Sequence, residues 1–158
     1  MTGRQPMPKR RESSQPDPLG QPWSIVFFQR HPRDDPAESV PGAEFLEACP
    51  AGVRANIAAI LKAVADAPPP RFAGGLQWQA MHGEMAGWYE ARAMGPSKRL
   101  YRVFCLLERE AEGLPGPSLV IITGLDKQTA TAFSKADYRR VRELGDEYRS
   151  RSPRSIER

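Results

Sequence analysis

The chain has 158 residues, a net charge of +4 at pH 7 and a mean hydropathy of −0.55. This length is enough for one domain with a hydrophobic core, and no apolar run reaches the ~20 residues needed to cross a bilayer. Cys49 and Cys105 are the only cysteines and have neither metal-ligand spacing nor a disulfide framework, so we expect reduced thiols in a cytoplasmic protein.

The N-terminal part predicts an extension and then a strand. Met1–Pro22 is rich in proline, serine, glutamine and charge, a composition that buries little apolar surface, so we predict that it is disordered. Trp23–Gln29, WSIVFFQ, is dense in aromatic and β-branched residues and predicts the first strand.

The next apolar segment, AEFLEACPAGVRANIAAILKAVADAPPP, predicts a helical hairpin. Pro50 divides it, because a proline stops one helix and is tolerated in the first turn of the next. In the second helix an apolar stripe at helical spacing predicts a buried face. Its members are Val53, Ile57, Ile60, Leu61 and Val64.

Three strands and a helix complete the predicted domain. After a glycine-rich connection with a short extended piece at Leu76–Met81, the strands are GWYEARAM, RLYRVFCLL and SLVIITGL, joined by short turns that favour an antiparallel meander. The uninterrupted apolar run LVIIT is typical of a central strand. The last helix begins after Ser134, a good capping residue.

The order of elements predicts an α+β fold, β-α-α-β-β-β(-α). We expect a mostly antiparallel four-stranded sheet that packs against the helical hairpin. The predicted domain covers 23–151, preceded by the extension at 1–22 and followed by a flexible tail at 152–158.

Two arginines on the predicted hairpin are the first candidates for a functional site. Arg92 and Arg102 occupy its two arms at positions that place them on one face if the GPSK turn sets the register. Glu90 lies close enough to pair with Arg102, so a simple surface ion pair is one explanation. An anion held between the two guanidiniums is the other, and the residues alone favour the ion pair.

Other polar residues add weaker candidates. Lys127, with Thr129 and Thr131, follows the predicted end of the last strand, where the group could contact a phosphate or simply form a polar loop. His31 and His82 lie in separate predicted loops without a catalytic-triad pattern around them.

Three blocks in order resemble the RelE/HigB superfamily of toxins from type II toxin–antitoxin systems, specifically its phage-derived RelE-like branch. The first block is EFLEACPAGVRANIAAIL, the second is GWYEAR followed by YRVFCLL, and the third is LVIITGLDKQT. They lie within Trp23–Arg151, so the resemblance covers most of the chain.

The resemblance implies a RelE-like fold and a ribosome-dependent mRNA endonuclease that needs no cofactor or metal and inhibits translation. In this chemistry the 2′-hydroxyl of the RNA attacks the adjacent phosphate. The resemblance also implies that Arg92, Arg102 and Lys127 are the catalytic residues. It further implies that basic residues of the hairpin turn and of the last helix bind RNA. Those are Lys98, Arg99, Arg139 and Arg142.

The resemblance also implies partners: a cognate antitoxin, expected to be a helix-turn-helix protein, and mRNA on the ribosome, with no membrane. Asp126 stands where relatives carry lysine, and we expect it to repel a phosphate. Tyr138 and Tyr148 can serve as acid or base only if the last helix turns them inward. Two other functions stay open: a non-catalytic or gyrase-targeting binding module of the same fold, and an unrelated interaction domain.

Overall fold

A computed structural model describes residues 21–68 and 77–158 of the protein. The disordered extension predicted for Met1–Pro22 therefore lies almost entirely outside the described residues. The α+β class is confirmed, since residues 21–68 and 77–158 form five strands and three α-helices. The strands are β1 (Ser24–Phe27), β2 (Trp78–Ala80), β3 (Tyr89–Met94), β4 (Arg99–Glu108) and β5 (Ser118–Gln128), and the helices are α1 (Pro41–Ala48), α2 (Ala51–Asp66) and α3 (Lys135–Arg149).

The predicted helical hairpin is confirmed. α1 ends at Ala48 and α2 begins at Ala51, and Pro50 is the N-cap of α2 with an extended backbone. Four members of the apolar stripe of α2 are buried in the core against the sheet, as their spacing predicts, with Ile57 completely inaccessible to solvent, while Ile60 is only partly buried.

In the part of the chain that the structure describes, the sheet order is β1-β5-β4-β3-β2, so the sheet has five strands there rather than the four predicted. The additional strand is β2, inside the extended piece expected at Leu76–Met81. The last three strands pair antiparallel as expected, but β1 pairs with β5 in parallel. The LVIIT run lies in β5 between β1 and β4, which confirms a central strand.

Helices cover both faces of the sheet. The hairpin of α1 and α2 packs on one face, where the core includes Val103, Cys105 and Ile121. α3 packs on the other face against Phe104 and Leu106. Gly124 permits close packing of the helical hairpin on the sheet, because a Cβ atom there would overlap the Phe45 ring. Neighbouring positions along each strand therefore belong to different layers, except at Ile122 and Thr123 of β5, where the register shifts.

The segment 152–158, predicted to be a flexible tail, instead packs on the domain. Ile156 is 6% exposed and forms an antiparallel bridge with Phe28. The backbone N–H of Glu157 donates to the carbonyl of Phe27 at 2.8 Å. The prediction from composition fails because this segment satisfies the edge of β1 and buries one apolar side chain.

A half-buried ion pair between Arg154 and Glu108 connects this segment to β4. The Arg154 guanidinium donates to both oxygens of Glu108 at 3.2 and 3.1 Å, and the Tyr148 hydroxyl donates to the same carboxylate at 2.5 Å. Burial opposes ionisation of Glu108, but the hydrogen bonds from Arg154 and Tyr148 outweigh it and lower its pKa.

Arg154→Ala is expected to lower the free energy of unfolding by about 2 kcal/mol at pH 7. A lowered folded-state pKa makes this contribution complete above the unfolded value of about 4.3 and lost as the pH falls through the folded value. Urea unfolding at pH 7 and pH 3 should therefore show the difference from wild type shrinking in acid. Lys62→Ala, which removes an exposed pair with Asp66, is the control and should cost at most about 0.5 kcal/mol. An undiminished difference at pH 3 would contradict the prediction.

Candidate functional site

Three cations form a row across the face of the sheet that carries α3. Arg92 of β3 lies directly opposite Arg102 of β4, and Lys127 of β5 lies opposite Leu100, two residues before Arg102. Directly opposed residues share a face and side chains alternate, so all three project to the same side. The shared face expected for the two arginines is confirmed. We call Arg92, Arg102 and Lys127 the cation row.

A single buried carboxylate lies between the two arginines. Glu90 is 6% exposed and is the only buried charged side chain within 21–68 and 77–158. Its Oε1 accepts from Arg102 Nη1 at 3.1 Å, and its Oε2 lies 3.6 Å from Arg92 Nε. The predicted Glu90–Arg102 pair is confirmed, and Arg92 joins it. Gln79 of β2 also accepts from Arg92 Nη2, at 2.7 Å.

The site carries more positive charge and more donors than these contacts consume. Two guanidiniums contact one carboxylate, and Lys127 lies farther along the row with its ammonium group donating to the Thr131 carbonyl at 2.7 Å, so the three cations exceed the one carboxylate by two formal positive charges. The Nε atoms of Arg92 and Arg102 are buried and lack a hydrogen-bond acceptor in the described part of the chain. Such donors are costly to bury. The side chains are still 26% and 16% exposed, so the guanidiniums can meet an anion from solvent.

Aromatic side chains border the other end of the row. Arg102 Nη1 donates a long hydrogen bond of 3.4 Å to the Tyr138 hydroxyl. Phe133 contacts two cations through its ring, with Arg102 Cζ 5.3 Å and Lys127 Nζ 5.6 Å from the ring centroid. Tyr138 therefore reaches the site without any movement of α3, contrary to expectation. Tyr148 does not reach it, because it is buried against Glu108.

β5 continues to Gln128, so Lys127 and Asp126 are strand residues and not loop residues. Asp126 lies opposite Tyr101, whose side chain packs in the hairpin core, and it forms an ion pair with Arg99. Asp126 therefore points away from the cation row, on the opposite face of the sheet. The reason is the alternation of side chains along a strand.

The four predicted RNA-binding residues lie apart from the row. Lys98 is exposed in the turn between β3 and β4, while Arg99 pairs with Asp126 on the opposite face. Arg139 is exposed on α3, and Arg142 lies 3.6 Å from Glu84. Within the described ranges, no side-chain hydrogen bond joins any of the four to the cation row. The two histidines are likewise separate, in the loops where the sequence places them.

No protein-family model, curated protein or solved structure matches this chain. Among the residues described, no cluster of three or more His, Cys, Asp and Glu side chains is arranged to hold a metal ion. The helices in these same ranges include none with the length and apolar character to cross a membrane. Function is therefore inferred from the cation row and its neighbours.

Proposed function

We propose that the protein is a RelE/HigB-type toxin with a RelE-like fold: an endoribonuclease that cleaves mRNA on the ribosome, inhibits translation and is neutralised by a cognate antitoxin. The observation that carries this proposal is the cation row, in which Arg92 and Arg102 stand directly opposite each other with one carboxylate between them. A surface ion pair needs one guanidinium for Glu90. The second guanidinium and Lys127 leave charge to spare for an anion.

The chemistry suits a phosphodiester. Attack of the 2′-oxygen forms a bond to phosphorus and breaks the bond to the 5′-oxygen, which gives a 2′,3′-cyclic phosphate and a 5′-hydroxyl. The pentacoordinate intermediate carries more charge than the substrate phosphate, so guanidiniums that are already fixed stabilise it most. Glu90 and Gln79 fix Arg92, and Glu90 fixes Arg102.

Lys127 takes the remaining role in this proposal. Its ammonium group supplies the proton that the departing 5′-oxygen needs, and the proton of the 2′-hydroxyl is released to water. Tyr138 lies beside Arg102 and orients that guanidinium through its hydroxyl oxygen. No step uses a nucleophile from the protein.

The test is a purified translation system with and without ribosomes. We expect mRNA fragments with 5′-hydroxyl ends, cut at preferred codons and only when ribosomes are present.

A second test is made in cells. Co-expression with a small helix-turn-helix protein encoded by the neighbouring reading frame should relieve growth arrest. Intact mRNA together with inhibited DNA supercoiling would overturn the proposal in favour of a gyrase-targeting module. Intact mRNA together with normal DNA supercoiling would overturn both toxin functions and favour an interaction domain.

A further inference from the structure

Phe133 lies between two members of the cation row. Arg102 and Lys127 are diagonal neighbours on adjacent strands, and both approach the Phe133 ring within the ~6 Å range of cation–π contacts. No motif in the sequence indicates this role, because Phe133 lies outside the strands that carry the cations and just before the cap of α3.

The chemistry of an aromatic ring differs from that of a carboxylate in this position. Arg102 and Lys127 repel each other, and a second carboxylate would hold them together by cancelling their charge. The ring attracts cations through its quadrupole and carries no net charge. Together with the Thr131 carbonyl, which accepts from Lys127 Nζ at 2.7 Å, the ring therefore holds both groups in place while their positive charge stays available to an anion.

Neighbouring aromatic residues fix the ring. Phe133 makes edge contacts with Phe104 at 6.5 Å and with Tyr138 at 5.8 Å between ring centroids. Phe104 is completely buried in the sheet. At the next position, Ser134 begins α3 with a capping box in which its hydroxyl and the Asp137 carboxylate each accept from the other residue's backbone N–H.

We propose that Phe133 is a positioning residue that holds Arg102 and Lys127 on one aromatic ring, so that both cations face the same phosphate. The claim that the cations face a phosphate depends on the function proposed above, whereas the claim that Phe133 positions the two cations does not. The two parts can therefore be tested separately.

The direct test measures the NMR chemical shifts of the Arg102 guanidinium protons and of the Lys127 methylene protons next to the ammonium group. The ring current of Phe133 should move both sets of resonances upfield. Phe133→Leu should abolish these displacements, while Phe133→Tyr keeps them. Unchanged shifts in Phe133→Leu would overturn the positioning role. Shifts that are lost from a protein with no ribonuclease activity would support the positioning role and overturn the proposed function.

The second test replaces Phe133 with phenylalanines carrying one, two and three fluorine atoms, which weaken the quadrupole with little change of shape. RNA cleavage should fall stepwise, by roughly tenfold at three fluorines. The same replacements at Phe45, which packs against Tyr101, are the matched control for packing. An equal loss of activity at both positions, or no loss at Phe133, would contradict the inference.

Discussion

Arg102→Gln is expected to lower the rate of ribosome-dependent RNA cleavage by about 10²- to 10³-fold, the usual cost of removing one preorganised donor. Arg102 is the centre of the cation row and contacts Glu90, Tyr138 and Phe133. Its removal leaves Glu90 paired with Arg92, so the fold should survive. Single-turnover cleavage of ribosome-bound mRNA, with thermal unfolding measured alongside, separates the loss of chemistry from a loss of folded protein.

Arg140→Gln is the matched control for this variant. Arg140 is an exposed residue of α3 that lies 3.6 Å from Glu143 and is not among the RNA-binding candidates. We expect its cleavage rate to stay within about threefold of wild type, because an exposed pair contributes little. Equal losses in the two variants would indicate a general charge effect. Full activity in Arg102→Gln would remove Arg102 from the catalytic site.

Glu90→Gln is expected to lower the free energy of unfolding by about 3 kcal/mol, because it leaves two partly buried guanidiniums beside each other without a counter-charge. This loss corresponds to a fall in Tm of about 6–12 °C for a domain of this size. Urea unfolding and a thermal melt measure the two quantities. Sulfate at fixed ionic strength should restore the variant more than it stabilises wild type, since an anion can replace the missing charge.

Asp126→Asn is the control for Glu90→Gln, because it also removes a carboxylate that pairs with an arginine of β4. That pair is exposed, and we expect a loss of at most about 1 kcal/mol without selective rescue by sulfate. A similar loss in both variants, or no loss in Glu90→Gln, would show that the buried carboxylate does not hold the arginines.

Local patterns in the sequence predict much of this fold. The position of Pro50 and the apolar stripe of α2 give the hairpin, the uninterrupted run in β5 gives the central strand, and Ser134 gives the start of α3. β2 is harder to predict, because three residues at a sheet edge carry little periodicity and are defined by pairing with β3. The C-terminal segment is polar, and only Ile156 indicates burial.

The sequence likewise predicts one part of the candidate site and not the other. Alternation along two strands and a short turn predicts that Arg92 and Arg102 share a face and that Glu90 lies near them. The sequence gives no means of placing Phe133 or Tyr138, because their positions depend on how α3 returns across the sheet. Extending β5 to Gln128 places Asp126 and Lys127 on opposite faces, but strict alternation from Ile122 would put Asp126 on the face of the cation row. The register shift of β5 beside Phe104 and Cys105 reverses this, and the sequence does not indicate it.

The parallel pairing of β1 with β5 sets an order for folding during synthesis. Ser24 lies opposite Ser118, so the first strand to leave the ribosome waits for the last strand before it can pair. Contacts between distant parts of a chain form late, because closing a long loop costs entropy. Lys127 also belongs to β5, so the cation row is complete only when this strand has emerged. A nascent chain therefore lacks the assembled site while most of its own message is still being read.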